Sequence, residues 1–129
     1  VSMRPVPNQT PEKAFALLKK HVAKSNPEVT VEREGMLHPF RGVFDGPYVD
    51  AVKRAVKAGF GKEPAFIREG GSIGAVVTMQ KAWKVPILFM GLSLPEHGYH
   101  APNEYFDWGQ ASGGMKAFVH YFAELAAKR

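Results

Sequence analysis

The sequence predicts an α/β protein, and three patterns carry that reading. Residues 2–33 hold a short apolar stretch, an amphipathic helical repeat and an alternating stretch, which is a strand, a helix and a strand in order. Residues 65–94 place a helical segment between two apolar runs of strand length, the arrangement of a βαβ crossover. The chain then closes on a long helical repeat with one apolar stripe.

Taken in order, Ser2 to Val6 is bounded by Pro5 and Pro7, so it reads as an edge strand, where a missing backbone N–H costs least. Thr10-Pro11-Glu12-Lys13 is a helix start, with Thr10 as N-cap and Pro11 at the first helical position. Ala14, Phe15, Leu18 and Val22 share one face, and Ser25-Asn26-Pro27 ends the helix after about Lys24. Val29 to Arg33 alternates apolar and polar as a half-buried strand does. The stretch Glu34 to Pro47 is dense in Gly and Pro and is the expected crossing between two domains, 1–41 and 42–129. Tyr48, Val49, Val52, Ala55, Val56 and Phe60 line the next helix, stopped by Gly59-Phe60-Gly61. Ala65-Phe66-Ile67 is a short strand, Ile73 to Ala82 a helix, and Val85 to Leu94 a strand of the kind buried on both faces in a parallel sheet. The last helix is expected to bury Met115, Phe118, Val119, Phe122 and Leu125.

Composition narrows the function classes. A hydrophobic share of 45% over 129 residues suffices for a buried core, and no apolar run reaches the length of a membrane span. The net charge of +5 is spread along the chain, and Lys19, Lys20 and Lys24 sit where a helix C-terminus favours cations, so neither nucleic acid nor membrane is an expected partner. Cysteine is absent, which fits a reducing cytoplasm. The opening Val1-Ser2-Met3-Arg4 has neither an initiator methionine at position 1 nor a signal core, so the chain is expected to be cut from a longer one.

Three constellations bear on chemistry. Arg68-Glu69-Gly70-Gly71-Ser72-Ile73 lies between a strand and a helix start, where two glycines admit a close ligand and free N–H groups suit a carboxylate. Alternatively, Ser72 is an N-cap and the glycines only turn the chain. Glu96-His97-Gly98-Tyr99-His100-Ala101-Pro102-Asn103-Glu104 follows an expected buried strand, the place where α/β sheets hold ligands. Its histidines suit a metal, although a hydrolytic zinc site needs at least three protein ligands, and the alternative is a capped entry into the last helix. Arg4, between prolines, is either a rigid fork for a carboxylate or an ordinary surface cation.

In order and spacing these constellations resemble the M20 metallopeptidases, the family of carboxypeptidases, dipeptidases, acetylornithine deacetylase and succinyl-diaminopimelate desuccinylase. Ser2-Met3-Arg4 with Val6-Pro7-Asn8-Gln9 is similar to a late strand of that family's lid domain, and Arg68-Glu69-Gly70-Gly71-Ser72-Ile73 to its substrate-carboxylate loop. His100-Ala101-Pro102-Asn103-Glu104 is similar to its C-terminal metal-ligand loop. The resemblance implies that residues 42–129 are the C-terminal part of a catalytic α/β/α sandwich and residues 1–41 the strand-helix-strand end of the lid, or dimerisation, domain. It implies that His100 ligates one of two zinc ions, and that Arg4, Gly71 and Ser72 hold the substrate's free carboxylate. The reaction implied is hydrolysis of an amide or peptide bond beside that carboxylate, in a homodimeric, cytoplasmic enzyme acting on peptides or N-acyl amino acids. The Leu-Pro-Glu-His-Gly-Tyr-His run is most similar to dipeptidase-like members.

The family's other metal ligands, its general-base glutamate and its lid histidine have no match, so no catalytic residue is expected here and the isolated chain is expected to be inactive. Gly74 stands where the family usually has proline, and Pro5 where relatives often have leucine. The rival expectation is a non-catalytic anion-binding or interaction module that keeps the fold.

Overall fold

Local signals decide where the helices start and stop. The computed structural model describes residues 1–68 and 73–127. Helix α1, Pro11–Ser25, opens with the Lys13 N–H donating to the Thr10 hydroxyl oxygen at 3.3 Å and with proline in its first turn. Helix α2, Pro47–Phe60, ends at Gly61, whose φ of 71° is the left-handed conformation that closes a helix without steric cost. Helix α3, Gly74–Trp83, and a 3-10 turn, Pro95–His97, precede helix α4, Trp108–Ala126.

The chain gathers into two compact units, Val1–Gly42 with Arg68–Ile87, and Val43–Ile67 with Leu88–Arg129. In the first, Ala14, Phe15, Leu18 and Val22 are all half-buried, as their spacing predicts, and Val76 of α3 is buried. Helix α3 begins at Gly74 itself. A methyl group there would lie 3.1 Å from Leu37 Cδ2, so the missing side chain makes room for that leucine.

The second unit is organised by α2 and α4, the helix pair in extensive contact among the described residues. Ala51, Ala55 and Gly59 recur every fourth residue on α2, and Gly113, Ala117 and Tyr121 do the same on α4. Such rows are the ridges and grooves of helix packing, and rows made of small residues let the backbones approach closely. A methyl group on Gly59 would sit 2.8 Å from the Ala117 nitrogen and would also meet the Gly113 carbonyl oxygen. One on Gly113 would run into the Phe60 ring. Val49 and Val52 of α2 are buried as well, and partial burial pushes the Tyr121 phenol up. At the solvent edge the Arg54 fork donates to both Glu124 oxygens, at 2.8 and 2.6 Å, which orients the pair more than it stabilises it.

This contact corrects the expected face of the last helix. Met115, Phe118, Val119 and Phe122 are exposed, Val119 at 70% and Phe122 at 63%, and the buried positions are Gly113, Gly114 and Ala117. Apolar side chains mark α4 on one side while close backbone approach demands small residues on the other, so hydrophobic periodicity alone selects the wrong side.

The strands are a second correction. Segments 2–6, 29–33, 65–67 and 85–94 form no strand among the described residues. Strand structure requires backbone bonds to a neighbouring strand, and no ladder joins these segments. Val85 and Phe89, expected to be buried, are exposed, and the division between units at Ile87 falls within this run.

A single histidine then ties the turn before α4 to the helix itself. His97 is 2% exposed, and its Nδ1 accepts the Leu94 N–H at 3.1 Å, so Nε2 carries the proton and donates to Asp107 Oδ2 at 2.7 Å. The other oxygen, Asp107 Oδ1, caps α4 by accepting the Gln110 N–H at 2.8 Å. The edges of Tyr105 and Phe106 close over the imidazole at centroid distances of 5.0 and 5.6 Å. The Gln110 bond first, and then the His97 bond, hold the Asp107 carboxyl below its ordinary value against the opposing effect of partial burial.

Two outcomes follow from these packings. Gly59→Ala gains up to about 1 kcal/mol of helix propensity but presses on backbone atoms that cannot swing away, so denaturant unfolding should show a net loss of about 1–3 kcal/mol. Gly113→Ala, which meets a side chain able to rotate, should lose less. Because Asp107 titrates lower when folded, its stabilisation is complete above the unfolded carboxylate value and disappears as pH falls through the depressed folded one. Melting temperatures of Asp107→Asn followed into acid should therefore decline less steeply with pH than those of the parent chain.

Candidate functional site

The loop between the 3-10 turn and α4 is closed at its base by backbone and presents its side chains outward. The Tyr105 N–H donates to the His97 carbonyl at 3.1 Å, so backbone joins the two ends of the segment between them. Inside it, the Ala101 N–H donates to the Gly98 carbonyl at 3.0 Å and the Glu104 N–H to the Ala101 carbonyl at 3.3 Å. Gly98, His100 and Asn103 have φ of 64°, 65° and 63°, three left-handed residues in one short loop. Non-glycine residues adopt that region uncommonly, asparagine and histidine more often than most.

His100 is exposed. Its N–H donates to Glu104 Oε2 at 3.3 Å, and its ring stands perpendicular to Tyr99 at 6.3 Å. Neither ring nitrogen takes part in a hydrogen bond among the described residues, which leaves both able to meet a ligand. His97, in the same sequence cluster, is the opposite case. Both of its nitrogens are engaged and its ring is buried, so it serves the capped entry into the last helix and is not available as a ligand.

The remaining residues singled out from the sequence are distributed as follows. Arg4 is exposed in the first unit, on an irregular segment ahead of a turn in which the Gln9 N–H donates to the Val6 carbonyl at 3.0 Å. Asn8, with φ 73°, completes that turn. His100 belongs to the second unit. Gly71 and Ser72 lie outside the described residues. The N-cap position of α3 is Ile73, which has no side-chain group to bond the first helical N–H groups.

As to a metal, among the described residues no group of three or more His, Cys, Asp or Glu side chains is arranged to hold one. The described donors therefore do not by themselves complete a hydrolytic zinc centre. His38, 3.6 Å from Glu12, is an exposed pair in the first unit, and His21 and His120 stand in helices. No helix among the described residues is long and apolar enough to cross a membrane.

Asp107 is the residue flanking this loop that reading the sequence passed over. An aspartate immediately before a long apolar helical repeat is an N-cap by type, and that signal was available. Its second role, as the acceptor for a buried histidine ten positions earlier, was not, because only the closed loop brings the two together.

Comparison with known proteins bears on what such a loop serves. Residues 2–124 match the peptidase family M20/M25/M40. Among relatives, the chain is 33% identical to the Cys-Gly metallodipeptidase DUG1 of Saccharomyces cerevisiae over 95% of this chain and 27% of the relative. It is 31% identical to the Cys-Gly metallodipeptidase dug1 of Schizosaccharomyces pombe over 98% of this chain and 28% of the relative. It is also 31% identical to the human Beta-Ala-His dipeptidase over 70% of this chain and 18% of the relative. The chain thus spans little more than a quarter of the length of the yeast proteins it matches. No solved structure matches it at a significant level. With all but the ends of its sequence matched, the chain belongs to peptidase family M20/M25/M40.

Proposed function

We propose that this chain is the C-terminal part of a zinc-dependent M20 hydrolase that cleaves a dipeptide, or a related N-acyl amino acid, beside a free carboxylate. Residues 1–41 are then the end of the lid, and residues 42–129 belong to the catalytic domain. The observation that carries the reading is His100, an exposed imidazole with unengaged ring nitrogens on a loop anchored at both ends, in a chain whose relatives include metallodipeptidases.

In this reading His100 donates a ring nitrogen to one of two metal ions, and the other ligands come from parts of the polypeptide beyond these residues. A bound metal centre of this kind lowers the pKa of water and polarises the scissile carbonyl. The chain's own contribution to substrate is binding and orientation. The Arg4 guanidinium, the Ser72 hydroxyl and the backbone N–H at Gly71 grip the carboxylate, which positions the neighbouring amide and defines the end of the substrate. No residue here is assigned the general base, so proton transfer from water falls to another part of the enzyme. A homodimer in a reducing cytoplasm completes the proposal and accords with a chain free of cysteine.

The direct test is turnover by the purified chain with added zinc. No hydrolysis of dipeptides or N-acyl amino acids is expected, because a single ligand binds zinc weakly and no base is positioned. Turnover that disappears on His100→Ala would overturn the assignment in favour of a self-contained site. In an enzyme of the relatives' full length, His100→Ala should lower zinc stoichiometry and nearly abolish kcat. Ser72→Ala should chiefly weaken substrates bearing a free carboxylate, by about 1.5–3 kcal/mol for one hydrogen bond to a charged group. Unchanged zinc content in the His100 variant, with carboxylate binding retained, would favour an anion-binding module without hydrolytic chemistry.

A further inference from the structure

The loop that carries His100 is built around a contact in which the histidine's backbone, rather than its ring, is gripped. We propose that Glu104 is a positioning residue for His100: its carboxylate accepts the His100 backbone N–H, holds that residue in the left-handed region and so sets the direction in which the imidazole leaves the loop. The inference rests on the reading of His100 as a metal ligand and adds how the ligand is aimed.

Three observations support it. His100 has a φ of 65°, in a region that non-glycine residues adopt uncommonly. Its ring is exposed and makes no hydrogen bond among the described residues, so side-chain contacts beyond the edge of Tyr99 do not orient it. Its N–H faces Glu104 Oε2 at 3.3 Å, four residues on, across the turn that Asn103 makes with a φ of 63°. The Glu104 N–H in turn donates to the Ala101 carbonyl, and the neighbouring Tyr105 N–H to the His97 carbonyl, so the backbone beneath the carboxylate is tied to the buried anchor of the loop. Groups that orient a ligating histidine govern how well it binds, and their loss typically weakens metal affinity about 10- to 100-fold.

The test needs no metal, so its failure and the failure of the ligand assignment are separable. In isotopically labelled chain, amide exchange at His100, the sign-sensitive Cα–Hα coupling that reports its φ, and the mobility of its ring are compared in the parent, Glu104→Gln and Glu104→Ala. The glutamine keeps an oxygen at the same reach and should preserve all three readouts. The alanine should speed His100 exchange by about tenfold, the scale of one lost hydrogen bond, and release φ and the ring while the melting temperature stays the same. Should the alanine variant fold poorly, Glu104→Asp, shorter by one methylene, should release His100 alone. A His100 unaffected by Ala or Asp, or equally released by Gln, would overturn the proposal.

Discussion

The close approach of α2 and α4 is the constraint on which the second unit depends. Two helices draw together only as far as their interface side chains permit, and here the interface is Ala51, Ala55 and Gly59 against Gly113 and Ala117. Residues so small contribute modest apolar area themselves. Their effect is to let backbone meet backbone and to bring the Phe60 ring against Gly113, where interior packing density makes many weak attractions add. Gly114 extends the same logic, since a side chain there would collide with Leu92 on the approach to the loop. The direction of α4, and with it the point from which the loop departs, follows from that packing.

From this foundation the loop is held by a second device of a different kind. His97 is a polar group placed almost wholly out of solvent, which is tolerable because both ring nitrogens are satisfied. One bond reaches back to the start of the turn and the other forward to the helix cap, so a single side chain measures the span that the loop must bridge. Asp107 does two jobs with its two oxygens, and each bond favours its charged form. The consequence for His100 is indirect but physical: an exposed imidazole is a useful ligand only if the backbone that carries it returns to the same place, and the anchor supplies that return.

Both units leave large apolar side chains in water. Val119 and Phe122 on α4 are exposed, as is Ile67, and the apolar stretches form no strand among the described residues. Exposed apolar side chains gathered at this density are the kind of surface that interactions cover.

What the sequence by itself determined was local. Thr10 with Pro11, and Gly61 after Phe60, were legible as helix ends, because capping involves residues within a turn of one another. The family resemblance was legible too, since motif order survives in sequence, and it singled out His100 without any geometry. The tertiary structure decided everything that depends on a partner distant in the chain. It chose Gly113, Gly114 and Ala117 over the apolar stripe as the buried side of α4, because the neighbouring helix demands closeness more than hydrophobicity. It formed no strand over residues 85–94 among the described residues, because a β pattern becomes a strand only beside another strand. And it separated two histidines three residues apart, burying His97 against Asp107 and turning His100 outward, because the closed loop gives each ring a different set of neighbours.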